Sequence, residues 1–258
     1  MAKPLYPDPL SIDRRARRLR RLRRRVRRIM TLVYLVLAAQ VVAFAFTSPH
    51  LRVNRVVVEG AKGALAAEAL SKMQAGIGAN IFLAPLDDLS RKLAEAAPFL
   101  SVSVSRRWPL TLVATVRLRT PYAIVRSGQA GYLLDGALVP YAATSGSSKR
   151  LPEFAIPSGS SPKLGQNWPN RYLQASAKSY EAARDRGLVV RRISIDRSGD
   201  MCFNIESGIQ IRAGAPQDIE RKLWVASQFL ASKKVPLDTI DYVDVSCPAA
   251  PVYAPKRS

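Results

Sequence analysis

The chain has 258 residues, of which 48% are apolar, which is enough for a folded core and excludes a wholly disordered chain. Lys and Arg number 40 against 19 Asp and Glu, so the formal net charge of +21 indicates an acidic partner, either nucleic acid or an anionic membrane surface. A single His and two Cys exclude a zinc module rich in these ligands and weaken any His-dependent catalytic triad.

The positive charge is concentrated near the start of the chain, beside an uncharged segment. Residues 14–28 contain eleven Arg, and residues 29–49 contain no charged side chain. As a helix, the apolar run at 29–46 would be about 27 Å long. Because the hydrocarbon core of a bilayer is about 30 Å thick, we predict a transmembrane helix over residues 29–48, preceded by a basic tail at 1–28.

The apolar run has two other interpretations. One is a buried helix of a soluble protein, and the other is a cleaved signal peptide with Ala43 and Ala45 at the cleavage site. The basic region of 28 residues and the apolar run of 18 are both long for a signal peptide, which favours a retained anchor. The positive-inside rule then places the N-terminus in the cytoplasm and exports residues 50–258. The arginines would also attract anionic lipid, so we do not expect a nucleic-acid partner.

Residues 51–119 have the pattern of a small α/β layer. We predict a strand at 52–59, helices at 64–74 and 86–97, and strands at 101–105 and 110–119, in that order along the chain. In the last strand, Leu112, Ala114 and Val116 alternate on one face. Two amphipathic helices can therefore cover one face of a three-stranded sheet.

For residues 120–258 we predict a second exported domain, dominated by antiparallel strands. Asp135-Gly136 between apolar runs is a strong hairpin signal. Helices are predicted at 172–186 and 218–232, strands at 192–196, 201–206, 209–212 and 239–246, and a Pro-rich tail at 248–255 that trails out of the last strand. The predicted fold class is α+β, with a single transmembrane helix, a β-α-α-β-β domain and a C-terminal, mainly antiparallel β domain with helices.

Few residues have a pattern typical of catalysis or metal binding. His50 is expected at the membrane surface, and Asp87-Asp88 begins a predicted helix, where the helix dipole explains two carboxylates. Asp241 and Asp244 are a candidate cation site, but solvent-facing positions on a strand explain them more simply. We therefore predict no catalytic residue, no cofactor and no metal site.

The two cysteines would lie in an oxidising compartment if the predicted topology holds, which permits a disulfide. Alternation places Met201 and Phe203 inward and Cys202 outward, whereas Val245 places Cys247 inward on its own strand. This difference in direction argues against a bridge, and the pairing stays open.

Short motifs beside the predicted anchor resemble the FtsQ/DivIB family of bacterial cell-division proteins. In chain order, they are VVVEG at 56–60, GANIF at 78–82, APF at 97–99, VSRRWP at 104–109 and PYA at 121–123. The resemblance runs from about residue 14 to the C-terminus. It implies a POTRA domain at 51–119, a bitopic protein of the cell inner membrane with a periplasmic C-terminus, and a non-enzymatic scaffold role in the divisome at the septum.

A binding function is expected to use a strand edge, because an extended partner can add a strand there. The candidate is the last predicted strand, since nothing later in the sequence needs to cover it. The resemblance implies that this region binds FtsB, which comes with FtsL, and that Asp244 and Tyr253 match family positions. The predicted partner-binding residues are Ile240, Asp241, Tyr242, Val243, Asp244, Val245 and Tyr253.

The sequence and the resemblance together predict a scaffold that links FtsB and FtsL to septal peptidoglycan synthesis. One rival is a POTRA-bearing protein of outer-membrane translocation, which needs a large barrel that residues 120–258, with two long helices, cannot supply. The other rival is a membrane-tethered cell-wall hydrolase. The shortage of His, Cys and metal-binding clusters argues against that class.

Overall fold

The computed structural model describes residues 9–148, 150–159, 161–232 and 235–256, with side chains from residue 25 onward. Residues 1–8 of the predicted basic tail lie outside the described residues. The chain has mixed α and β structure, in which one N-terminal helix precedes two β-sheets.

The first element is a continuous helix of 39 residues, α1 (Pro9–Thr47). It begins well before residue 29, where the predicted span starts, because arginine is a good helix former and residues 10–47 contain no Gly or Pro. Its segment Arg25–Thr47 is long and apolar enough to cross a membrane, with a mean hydropathy of 2.3 and none of its apolar window buried inside the protein.

A small unit of three strands and two helices follows α1. Its elements are β1 (Arg55–Glu59), α2 (Gly63–Met73), α3 (Leu86–Ala94), β2 (Phe99–Arg107) and β3 (Thr111–Leu118). The strand order is β1-β3-β2, with β1 parallel and β2 antiparallel to the central β3. The predicted order of elements, β-α-α-β-β, is confirmed, although the element ends differ by a few residues.

The core of this first unit lies between its sheet and its two helices. The inward face predicted for β3 is confirmed, since Leu112, Ala114 and Val116 all lie in this core, whereas Val113 is buried outside it. Leu89 and Leu93, one helical turn apart on α3, are buried in the same cluster. The amphipathic pattern of α3 therefore fixes which of its faces packs against the sheet.

The second unit contains a nine-stranded sheet and two helices. Its elements are β4 (Ala123–Ser127), β5 (Ala130–Leu134), β6 (Pro140–Ala143), β7 (Glu153–Ile156), α4 (Arg171–Asp185), β8 (Val190–Ile195), β9 (Met201–Ile205), β10 (Gln210–Gly214), α5 (Ile219–Ala231), β11 (Ile240–Asp244) and β12 (Val252–Pro255). The spatial order is β12-β11-β10-β9-β8-β7-β4-β5-β6. Five of the eight strand pairings are antiparallel, as predicted for this domain.

One face of the nine-stranded sheet carries the core, and the opposite face is open to solvent at β9 and β10, where Asn204 and Arg212 are exposed. Phe154 and Phe203 on the sheet and Leu173 on α4 are fully buried in one cluster. On β9, Met201 is buried beside Phe203 while Cys202 lies on the opposite face, as predicted. The hairpin predicted at Asp135-Gly136 is also confirmed, since β5 and β6 pair antiparallel around this loop.

A buried ion pair joins the two units. Arg119, directly after β3, donates from Nε to the carbonyl oxygen of Ala97 at 3.1 Å and from Nη1 to Asp135. The other carboxylate oxygen of Asp135 accepts the N–H groups of Ala137 and Val139 at 3.0 and 2.9 Å. Because the side chains of Arg119 and Asp135 are only 13% and 6% exposed, this pair fixes the β5–β6 loop to the end of the first unit.

Candidate partner-binding edge

The strand predicted to be open is an interior strand of the sheet. β11 lies between β10 on one side and β12 on the other. β12 runs antiparallel to β11 and places Tyr253 opposite Val243. The prediction that residues 248–255 trail out of the sheet is therefore wrong, and so is the premise that no later segment covers the strand at residues 239–246.

A bulge in β11 determines which of the predicted residues face the core. The register with β12 shifts between Ile240 and Tyr242, so Asp241 is an extra residue without a partner on β12. This shift puts Ile240 and Val243 on the same face although they are three residues apart, and both are buried, as is Val245. These three side chains hold β11 in the sheet instead of facing a partner. The accessible members of the predicted set are Asp241, Tyr242, Asp244 and Tyr253.

The outward side chains of β11 interact with their neighbours on the open face of the sheet. The guanidinium of Arg212 on β10 lies 3.7 Å from the centre of the Tyr242 ring, which is a cation–π contact. Asp244 accepts hydrogen bonds from the N–H of Ser246 at 2.9 Å and from the Ser246 hydroxyl. The open face beside β12 is therefore polar and ordered by local contacts.

β12 carries two exposed apolar side chains at the end of the sheet. Val252 is 60% exposed and Tyr253 is 43% exposed. Tyr253 contacts Phe229 of α5, with ring centroids 5.5 Å apart, so it lies on the helix-covered face. Since side chains alternate along a strand, Val252 lies on the opposite face. An added strand would therefore find an apolar contact on each face of the sheet.

The backbone of β12 has one outward donor in its central part. Lys256 donates its N–H to the carbonyl oxygen of Thr239 at 2.7 Å, so this N–H points toward β11. Because N–H directions alternate along a strand, the N–H groups of Ala254 and Val252 also point toward β11. The N–H of Tyr253 then points away from the sheet, toward the open side.

Prolines occupy the two positions that flank this donor on the open side. By the same alternation, Pro251 and Pro255 would both point outward, and neither has an N–H. Prolines on an edge strand reduce its tendency to pair with other chains. The outer edge of β12 therefore offers a short pairing segment centred on Tyr253.

The other residues singled out in the sequence have local structural roles. His50 lies in a 3₁₀ turn after α1, where its N–H donates to Ser48 Oγ at 3.3 Å. Asp87 and Asp88 lie in the first turn of α3, and Asp88 pairs with Arg91. Within the described ranges, no three His, Cys, Asp or Glu side chains form a cluster that could hold a metal ion.

The two cysteines are free thiols. Cys202 is half-buried on the outward face of β9, and burial raises the pKa of its thiol. Cys247 was predicted to point inward, and this prediction is wrong. It is exposed because β11 ends at Asp244, so Cys247 lies in the turn that leads to β12.

Comparison with known proteins found that neither a protein-family model nor a curated protein matches this chain. The candidate site therefore rests on geometry. It consists of an edge strand with one outward backbone donor, Tyr253 N–H, and two exposed apolar side chains, Val252 and Tyr253. This arrangement suits the addition of an extended peptide to the sheet.

Proposed function

We propose that this chain is a single-pass inner-membrane protein of the bacterial divisome that acts as a scaffold and not as an enzyme. α1 would be a retained anchor with its N-terminus in the cytoplasm and residues 50–258 in the periplasm. Residues 51–119 would be a POTRA domain and residues 120–258 a β domain. The arginine-rich start, the candidate span Arg25–Thr47 and the β-α-α-β-β order of the first unit support this proposal.

The observation that carries the proposal is the outer edge of β12. A scaffold needs a surface that captures another protein, and this edge provides backbone hydrogen bonding next to Val252 and Tyr253. We propose that FtsB, which comes with FtsL, adds an extended segment here. Through these partners the chain would assemble the machinery of septal peptidoglycan synthesis.

The test is a titration of the full chain, in detergent micelles, with the FtsB segment. We expect saturable binding by the complete chain and loss of binding when residues 251–258 are deleted. Thermal melts of both proteins establish that the shortened chain is still folded. Equal affinity in the two proteins would rule out the β12 edge, and absence of binding by the complete chain would remove FtsB as the partner.

Localisation provides a second, independent test. A fluorescent fusion of the full chain should concentrate at the septum of dividing cells, and the chain without residues 251–258 should no longer recruit FtsB to that position. A uniform distribution of the complete chain around the cell envelope would contradict a divisome role.

A further inference from the structure

Three large apolar side chains are exposed on the first unit, close to the end of α1. Phe82 and Leu83 lie in the loop between α2 and α3, and Trp108 lies in the turn between β2 and β3. They are 43%, 62% and 64% exposed, respectively. Their exposure contrasts with the neighbouring core of the same unit, where Met73, Leu93 and other apolar side chains are fully buried.

Aromatic contacts connect this group to the last turn of α1. The rings of Phe46 and Phe82 are 6.2 Å apart, and those of Phe82 and Trp108 are 6.0 Å apart. Asn80 Nδ2 donates to the carbonyl oxygens of Ala45 and Phe46, each at 2.9 Å. These carbonyls belong to the C-terminal turn, where helical partners are lacking, so Asn80 caps α1 and fixes the loop to it.

Arg106 on β2 also holds this loop. Its guanidinium donates to the carbonyl oxygens of Ile81, Phe82 and Ala84 at 2.5, 3.1 and 3.3 Å. The exposed group is therefore held in place before it meets any partner, which lowers the entropy lost on binding.

We propose that Phe82, Leu83 and Trp108 insert into the outer leaflet of the bilayer that α1 crosses. These side chains would hold the first unit against the membrane surface. This inference rests on the proposed membrane-spanning role of α1. The Trp108 ring lies within about 12 Å of Phe46, the last aromatic residue of the span, which puts it within reach of the interfacial layer. Trp and other amphipathic aromatic residues favour that layer. The ligand of this surface would be phospholipid, contacted at the depth where the headgroups meet the acyl chains.

The test uses the full chain in vesicles of phosphatidylcholine and phosphatidylglycerol. A fraction of the lipid molecules carries bromine near the headgroup end of the acyl chain. Bromine quenches the fluorescence of nearby tryptophan. The chain has three tryptophans, of which Trp168 is buried and Trp224 is exposed on α5. We expect Trp108→Phe to remove most of the quenchable emission and Trp224→Phe to leave it. Equal effects of the two variants would overturn the proposal.

A matched pair of charged variants tests the inserted surface directly. Leu83→Asp should reduce the quenching of Trp108 several-fold, because a carboxylate loses hydration when it enters the acyl region and is repelled by the anionic phosphatidylglycerol. Leu164→Asp, at an exposed leucine of the second unit, should leave the quenching unchanged. Equal quenching in Leu83→Asp and the parent chain would contradict insertion of this surface.

A reporter inside α1 separates failure of this inference from failure of the anchor. Tyr34→Trp in the Trp108→Phe background should be quenched by lipid brominated near the end of the acyl chain. If this reporter is quenched while Trp108 is not, α1 crosses the bilayer but the first unit does not insert its exposed side chains into it. If neither is quenched, α1 does not cross the bilayer and both proposals fall.

Discussion

At the scale of single residues, the connection between the two units depends on Arg119 and Asp135. Taking two charges out of water is costly, and their attraction offsets that cost only when the remaining polar groups are also bonded. Here Asp135 accepts two backbone N–H groups in addition to Arg119, and Arg119 also donates to a carbonyl of the first unit. Removing one charge would leave the other buried without compensation.

We therefore expect Asp135→Asn to lower the free energy of unfolding by about 3 kcal/mol. The matched control is Glu59→Gln, which removes a carboxylate that is 44% exposed and lies 2.8 Å from Arg107. For this exposed pair we expect a loss of less than about 1 kcal/mol. Urea denaturation of the full chain in micelles, followed by tryptophan fluorescence, measures both. Similar losses in the two variants would show that the buried pair has no special structural role.

The two thiols should differ in reactivity. The thiolate is the reactive form, and burial raises the pKa of Cys202, so less of it is ionised at mildly alkaline pH. Cys247 is exposed. We expect a maleimide to label Cys247 at least about tenfold faster than Cys202 in the native chain. Mass spectrometry of the labelled chain measures both rates, and Cys247→Ser should remove the fast phase. A fast phase that persists in this variant would contradict the assignment.

At the scale of elements, β12 provides two separable contributions to binding, the ring of Tyr253 and its outward N–H. Tyr253→Ala removes only the ring, and we expect an affinity for the FtsB segment about thirtyfold lower, from ~2 kcal/mol for an aromatic anchor. Tyr253→Pro also removes the donor, at a position where no bond to β11 is lost. We expect a further loss of about fivefold, from ~1 kcal/mol for one hydrogen bond.

Both variants lose the contact with Phe229, so comparing them isolates the backbone donor. Trp224→Ala is the control for an exposed aromatic residue elsewhere, on α5, and should leave the affinity unchanged. Thermal melts establish that each variant is folded. If Tyr253→Pro binds as well as Tyr253→Ala, the partner does not pair with the β12 backbone.

The elements that the sequence predicts well are those with a clear period. In β3, Ala114 and Val116 alternate with the polar residues Thr115 and Arg117. Leu89 and Leu93 repeat along α3, so the buried face is evident in each element. β4 lacks such a pattern because Ala123, Ile124 and Val125 are all buried. Strands of this kind are hard to distinguish from other short apolar runs.

The candidate site shows a different limit of prediction. Its region of the chain could be predicted, but the identity of the edge strand could not, because strand order is a property of the whole sheet. The β-forming residues Val252 and Tyr253 were a signal for a strand, and the prolines on either side concealed it. The bulge at Asp241 also follows from pairing with β12 and is not evident in the sequence.

At the scale of the whole molecule, the proposed topology predicts which part of the chain a protease can reach. With α1 retained across the membrane, protease added to spheroplasts should digest the periplasmic part, residues 50–258, and leave the N-terminal tail protected. Detergent should expose the tail as well, which controls for an intrinsically resistant segment. A mature protein that begins near Phe46 would refute the retained anchor.

The arginine-rich segment at residues 14–28 provides the last prediction. If its role is to orient α1 and to attract anionic headgroups, Lys should replace the eleven Arg without effect, because the positive-inside rule counts both residues equally. Replacement of the same residues by Gln keeps a good helix former but removes the charge, so the correctly oriented fraction should fall. The protease assay measures this fraction in each variant. If the Lys variant inserts correctly and yet fails to support division, the arginines must bind a specific cytoplasmic ligand through their guanidinium groups, since lysine keeps the charge and loses only that geometry.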